Sequence, residues 1–310
     1  MKPNTLRVME ALNGRSTFND EQFRYLRNMQ GGYNGECEFV AVMEDLKCPH
    51  ILLRDLYFEP KFSGPIQIDF LLLIGNTAVI YEVKNYSGVW QYSEEAYRQK
   101  EFERANPLIQ LARTKQNFKA LLRELGYTHV TVDAVVFHVG TTFTLLGAPE
   151  NRNVILPTQI QEHVTKLNQY QYDVSQSLVD LAGQLELAVR VAPPFTKMIP
   201  EYSFDMLKKG LKCEACAGFV EQFSQRICLC PSCGHKTNRA DAVEAAITDY
   251  EFLFPDRKLS GSVLAEWCGG LISQSHIRSV IRMRNDGSNQ KYHLSQRFIT
   301  NTTTQTKNTI

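Results

Sequence analysis

Residues 67–88 read QIDFLLLIGNTAVIYEVKNYSG, a run patterned like a buried β-hairpin that nevertheless contains Asp69, Glu82 and Lys84. Gly75-Asn76 suits a two-residue hairpin turn, because glycine accepts the positive φ such turns need. That turn pairs Ile74 with Thr77, places Asp69 directly across from Glu82, and places Gln67 across from Lys84. Directly opposed residues share a face of the strand pair. One face then carries Ile66, Ile68, Phe70, Leu72, Ile74, Val79, Tyr81 and Val83. The other is apolar near the turn (Leu71, Leu73, Ala78, Ile80) and polar at the far end. A turn at Asn76-Thr77 would shift this register and disperse the polar group.

Two opposed carboxylates repel each other, and a divalent cation reverses the sign of that interaction. Hard cations such as Mg²⁺ take one or two carboxylates together with water and substrate oxygens. Lys84 lies on the same side of its strand as Glu82, within reach of a phosphate or a water on such an ion. The plainer alternative is an exposed edge-strand ion pair between Glu82 and Lys84, with Asp69 an unrelated polar residue. Upstream, ECEFVAVMEDL spaces Glu36, Val40 and Met43 along one helical stripe. Glu36 there is either a partner of the helix dipole or a third acid facing Asp69 and Glu82.

Working outward, strands are expected over 50–58, 66–74, 77–84 and 130–140, with a short one at 153–156. Helices are expected within 1–30, after a break at GGYNG (31–35), and again near 158–169 and 174–190. A further helix opens at NPLIQ with Asn106 as N-cap and Pro107 at the first helical position, and closes near Gly126. The order of elements describes a mixed α/β domain. The prolines of VAPPF (191–195) read as a linker. The expected division is a helical lead-in at 1–30, the α/β domain at 31–190, a linker at 191–205, a cysteine-rich module at 206–240, a helical module at 241–300 and a disordered tail at 301–310.

The chain has 310 residues, 43% of them hydrophobic, with 34 Lys and Arg against 33 Asp and Glu, so no global basic field points to nucleic acid. No signal-peptide pattern opens the sequence and no stretch of about 18 apolar residues occurs, so a soluble, cytoplasmic protein is expected. Five of its eight cysteines fall between 213 and 233. Cys213-x₂-Cys216 and Cys230-x₂-Cys233 are spaced for one tetrahedral, structural Zn²⁺ held by four thiolates, the pattern of a zinc ribbon. Cys228 could replace one ligand or remain a free thiol. Residues 256–310 carry eight Lys and Arg against three Asp and Glu. Within them SGSVLAEWCGGLISQSHIRSVIRMR reads as helix, Gly269-Gly270 turn and second helix capped by Ser273, in helix-turn-helix outline. Ile277, Val280 and Ile281 would face inward. Arg278 and Arg282 would face outward, toward nucleic acid or simply toward solvent, and QKYHLSQRF (290–298) would form a β wing.

Three stretches together, GGYNGECEFV (31–40), the hairpin of 67–88 and NPLIQ (106–110), resemble the nuclease-related domain, NERD, of the PD-(D/E)XK nuclease superfamily. The resemblance spans about 31–140. It places the family's acid on Asp69, its Glu-x-Lys on Glu82 and Lys84, the helix-one acid on Glu36 and the second-helix polar residue on Gln110. Phe70 departs from the pattern, standing where relatives often carry histidine. The resemblance implies a mixed sheet flanked by helices and Mg²⁺- or Mn²⁺-dependent phosphodiester hydrolysis, with Asp69 and Glu82 as ligands and Lys84 near the attacking water. The zinc ribbon and the winged-helix-like end would then guide the protein to DNA. Two rivals are a nucleic-acid-binding protein with a vestigial nuclease fold and a regulatory module that binds other proteins.

Overall fold

The computed structural model describes residues 2–148, 150, 153–191, 198–222, 224, 226–287 and 298–301. They fall into two compact units, one formed by 1–30 with 194–295 and the other by 31–193 with 296–310. Residues 1–30, expected as a lead-in, are thus grouped with the C-terminal half. Helix α1 covers Asn4–Leu12, and α2 runs from Asp20 to Met43 through the division.

The second unit is built on a sheet of β1 (His50–Phe58), β2 (Ile66–Ile74), β3 (Thr77–Lys84), β7 (Thr131–His138), β9 (Val154–Ile155) and β13 (Phe298–Asn301), in the order β13-β1-β2-β3-β7-β9. The pairs β3–β7 and β7–β9 are parallel and the others antiparallel, so the sheet is mixed. On one face lie α3 (Pro107–Glu124) and α5 (Gln176–Ala188), whose Leu111, Phe118, Leu178, Leu181 and Leu185 pack on Leu53, Leu71, Leu73, Ile80 and Val136. On the other lie the end of α2 and α4 (Ile160–Leu167), where Phe39, Met43, Val164 and Leu167 meet Phe70, Leu72, Tyr81 and Phe137. Phe70 is therefore core, its ring centre 4.5 Å from that of Phe39. Apolar burial on both faces explains why the central strands carry almost unbroken hydrophobic sequence. The α3 N-cap is as expected, with the Asn106 side chain accepting from Leu108 N–H and Pro107 following.

The expected helix break at GGYNG does not occur. Gly31 and Gly32 touch nothing that a side chain would meet, and each weakens the helix by about 1 kcal/mol relative to alanine. Gly35 is different, because an added Cβ would stand 2.7 Å from Asn85 Cβ. The Asn85 side chain in turn donates to the Gly31 carbonyl at 3.0 Å, tying α2 to the residue after Lys84. Gly35→Ala, which would strengthen an isolated helix, is expected to destabilise this protein by about 1–3 kcal/mol through overpacking. Equilibrium urea unfolding checks this.

A second sheet lies outside the expected elements. It comprises β4 (Val89–Tyr92), β5 (Ala96–Gln99), β6 (Phe102–Ala105) and β8 (Thr144–Leu146), in the order β6-β5-β4-β8. Its inner face, with Trp90, Tyr97 and Leu145, packs with Phe143 and Tyr86 into an aromatic cluster.

In the first unit, β10 (Glu221–Gln222), β11 (Ile227–Leu229) and β12 (Lys236–Asn238) form a three-stranded antiparallel ribbon. Helices α6 (Arg239–Leu253), α7 (Gly261–Trp267) and α8 (Gln274–Gly287) follow. Helix α1 packs on α6. The buried Arg15 guanidinium donates to the Lys208 and Gly210 carbonyls at 3.0 Å each and lies 3.9 Å from the Trp267 ring centre. The Lys212 ammonium donates to the Glu10 and Ala11 carbonyls and pairs with Asp249. Gly269 and Gly270, both at φ 71°, make the turn between α7 and α8, and Ser273 Oγ accepts from His276 N–H at the start of α8. Ile277 and Val280 are buried and Ile281 half-buried, whereas Arg278 and Arg282 are exposed. Of the expected wing, 290–297 lie outside the described residues, and Phe298 opens β13, which pairs with β1. Of the expected linker at 191–205, residues 192–197 lie outside the described residues. Among the described residues, no helix is long and apolar enough to cross a membrane.

Candidate functional site

The hairpin turn and register hold from Ile74–Thr77 to Phe70–Tyr81 and then stop. The expected pairs Asp69–Glu82 and Gln67–Lys84 are not ladder partners. Asp69 Oδ2 instead accepts the Val83 N–H at 2.9 Å, so a side chain replaces the backbone carbonyl as β3 parts from β2. Gln67 is exposed and pairs with Tyr57. The alternation of faces breaks at the same level. Ile66 and Ile68 pack with Leu71 and Leu73, whereas Phe70 and Leu72 belong to the opposite core. On β1 the break coincides with Asp55 at φ 52°, a left-handed conformation that aspartate tolerates better than most residues.

Beyond Tyr81, β3 keeps only its parallel partner, with Glu82 beside Val136 and Lys84 beside His138. Glu82 is 4% exposed, and its Oε1 receives Lys84 Nζ at 2.6 Å. Burial works against the Lys84 ammonium, but Glu82 outweighs it and holds the pKa above the ordinary lysine value. Burial, then the Glu82 charge, lifts the Asp69 carboxyl to about 8, against the pull of the Val83 N–H. Half-buried Glu36, on α2, is lifted to about 7 by burial and then by Asp55. Asp69, Glu82, Lys84 and Glu36 therefore share one electrostatic neighbourhood, although the acid oxygens do not all lie within 4.8 Å of one another. Gln110 is exposed on α3.

Two neighbours escaped the sequence reading. Asp55 acts on Glu36 from strand β1. His138, the partner of Lys84, is fully buried, stacks 4.2 Å from the Phe143 ring centre, and finds no hydrogen-bond partner for either ring nitrogen among the described residues. Its only sequence signal was one histidine in the apolar run VTVDAVVFHVG. Burial, then the charge of Lys84, pushes its pKa from 6.5 down to about 3. The unfolded chain therefore binds one more proton at this site between those values, and stability falls with acid. The loss reaches about 1.4 kcal/mol per pH unit, with the full contribution restored above the unfolded value. The unfolding free energy of wild type minus that of His138→Phe, followed from pH 7.5 to pH 5, should therefore fall as the pH is lowered, whatever its sign at pH 7.5.

The four cysteines form a separate centre. The Sγ atoms of Cys213, Cys216, Cys230 and Cys233 all lie within 4.8 Å of one another, with Cys213–Cys233 at 3.7 Å and Cys216–Cys230 at 3.5 Å. Four thiolates about 2.3 Å from a tetrahedral zinc ion require such spacings. The two knuckles are built alike: Ala217 N–H donates to the Cys213 carbonyl and Gly234 N–H to the Cys230 carbonyl, each at 2.9 Å. Ala217 and Gly234 have φ 58° and 72°, so the two residues occupy corresponding positions. Cys228 is buried in β11 outside the cluster and remains a free thiol. The donor set suits structural zinc.

Residues 31–139 match the family model NERD, nuclease-related domain. The NERD segment begins at the second unit's first residue and ends just after β7, so it contains Glu36, Asp69, Glu82, Lys84, Gln110 and His138. It covers a little over a third of the chain. A nuclease-related domain suggests a nuclease-related function, contact with nucleic acid and a divalent metal. No curated protein and no solved structure matches.

Proposed function

We propose that this protein is a metal-dependent nuclease that hydrolyses phosphodiester bonds in DNA. The observation that carries the reading is the pairing of Asp69 with the Val83 N–H where β3 parts from β2, within the segment that matches NERD. That arrangement keeps a carboxylate beside Glu82 and Lys84 at an opening strand end rather than in a closed ladder. The donors are all oxygens, and the repulsion between Asp69 and Glu82 is what a hard cation relieves. Asp69 and Glu82 would hold Mg²⁺ or Mn²⁺, with Glu36 turned toward an outer water. A bound ion of this kind lowers the pKa of a coordinated water and neutralises charge on the phosphoryl group. Lys84, anchored on Glu82, places its ammonium to stabilise negative charge on the attacked phosphate. Gln110 would contact the substrate from α3. Structural zinc would shape the ribbon, and Arg278 and Arg282, exposed on α8 beside the α7 turn, would hold DNA phosphates.

Binding without hydrolysis is the second reading, favoured by the ion pair that occupies Glu82 and by the spread of the acid oxygens. Plasmid, linear duplex, single-stranded DNA and RNA incubated with Mg²⁺ or Mn²⁺ separate the two. The nuclease reading expects metal-dependent cleavage of DNA. Salt-sensitive binding with no cleavage of any substrate would favour the second.

A further inference from the structure

The sheet that follows Lys84 carries a feature that the hydrolytic site does not use. Strand β6 is its edge. Pairing with β5 sets Phe102 beside Gln99, Glu103 beside Arg98 and Arg104 beside Tyr97. Alternation then sends Phe102 and Arg104 to one face and Glu103 to the other. On the outward face Arg98 is paired with Glu103 at 3.0 Å. Arg104 is exposed and has no carboxylate partner among the described residues. Its guanidinium carbon lies 5.4 Å from the Tyr86 ring centre. Phe102 is 69% exposed.

The face that these two residues extend is the aromatic one. Tyr97, beside Arg104, has its ring centre 6.0 Å from that of His138. Tyr86 stacks on Trp90 at 5.4 Å and lies 5.8 Å from His138, the strand partner of Lys84. A series of rings therefore leads from Lys84 to an unpaired cation and an open aromatic face at the sheet edge.

We propose that Phe102 and Arg104 form a subsite for single-stranded nucleic acid, with Phe102 stacking an unpaired base and Arg104 holding the adjoining phosphate. Aromatic stacking contributes about 1–3 kcal/mol per base and tolerates any sequence, and a guanidinium beside it neutralises the backbone. A base inside a duplex has both faces covered and cannot use Phe102, so the subsite discriminates strand state rather than sequence. The identity of the occupant rests on the nuclease reading, but the subsite itself is read by binding.

The test is fluorescence anisotropy of the zinc-loaded protein without added divalent cation, on a labelled single-stranded DNA oligonucleotide and on a blunt-ended duplex of two complementary strands. Phe102→Ala should weaken single-strand binding about tenfold, equivalent to 1.4 kcal/mol, and change duplex binding less than about twofold. Phe102→Tyr should retain affinity. Arg104→Ala should weaken single-strand binding and lower the slope of log K against log salt by about 0.7, which Arg104→Lys restores. Arg98→Ala, removing the paired arginine, should change neither. Unchanged single-strand affinity in both alanine variants, equal losses on the two probes, or no binding of the single strand would overturn the proposal. Binding that depends on Phe102 and Arg104 in a protein that cleaves nothing would overturn the hydrolytic reading and leave the subsite standing.

Discussion

Asp69→Asn is expected to abolish metal-dependent cleavage, by about 10²–10³-fold or more, while leaving the fold in place. The asparagine carboxamide oxygen still accepts the Val83 N–H that the native carboxylate accepts at 2.9 Å, so the parting of β3 from β2 is preserved. What the variant loses is the ionisable carboxyl beside Glu82, which a bound cation would hold as the carboxylate. Asp69→Ala removes both and leaves the Val83 N–H without its acceptor, at about 1–3 kcal/mol of stability. Comparing the two in single-turnover cleavage and in thermal melts separates the chemical role from the structural one. Lys84→Ala should lose a comparable rate factor, because it removes the cation held on Glu82. Gln110→Ala, on an exposed position of α3, should have the smallest effect of the series. Cleavage unchanged by either Asp69 variant would remove the proposed site.

The second large effect concerns zinc. Cys230→Ser, or removal of the metal by a strong chelator, is expected to unfold the ribbon, since thiolate zinc sites supply on the order of 10 kcal/mol of folding free energy to domains of this size. The ribbon's strands are two or three residues each and cannot hold together alone. The loss should reach α1, because the Lys212 ammonium that holds the Glu10 and Ala11 carbonyls leads directly into Cys213. Elemental analysis should find about one zinc per chain in wild type and none in the variant, with a large fall in melting temperature. Cys228→Ser should keep its zinc, because that thiol lies outside the cluster. Full zinc content and unchanged melting in Cys230→Ser would contradict the four-thiolate centre.

The parts of the fold that were legible in the sequence share a cause. The strands at 50–58, 66–74 and 77–84 and the turn at Gly75-Asn76 follow from apolar runs bounded by local turn chemistry. The Asn106 cap and the two cysteine pairs are equally local. What escaped depends on distant partners. The four-residue strands of the second sheet are too short to show a period, and β4 finds its parallel partner in β8, some 50 residues further along. Helix α2 continues through GGYNG because Gly35 is needed against Asn85, a contact no propensity reveals. Helix α1 takes its place through Arg15 and carbonyls 193 and 195 residues away. At the candidate site neither the register nor the alternation of faces was legible past Phe70, because the break at Asp55 and Asp69 is not a local sequence signal. The ladder ends at Phe70–Tyr81, short of the Asp69–Glu82 and Gln67–Lys84 pairs, where a carboxylate, and not a carbonyl, takes the Val83 N–H.

In the proposed nuclease, Asp69 and Glu82 hold a divalent cation beside Lys84. Mn²⁺ binding to the zinc-loaded protein, followed by electron paramagnetic resonance, tests it without a substrate. Saturable Mn²⁺ binding is expected in wild type and in Gln110→Ala, and its loss in Asp69→Asn and in Glu82→Gln. Equal Mn²⁺ binding by wild type and both carboxamide variants would contradict it.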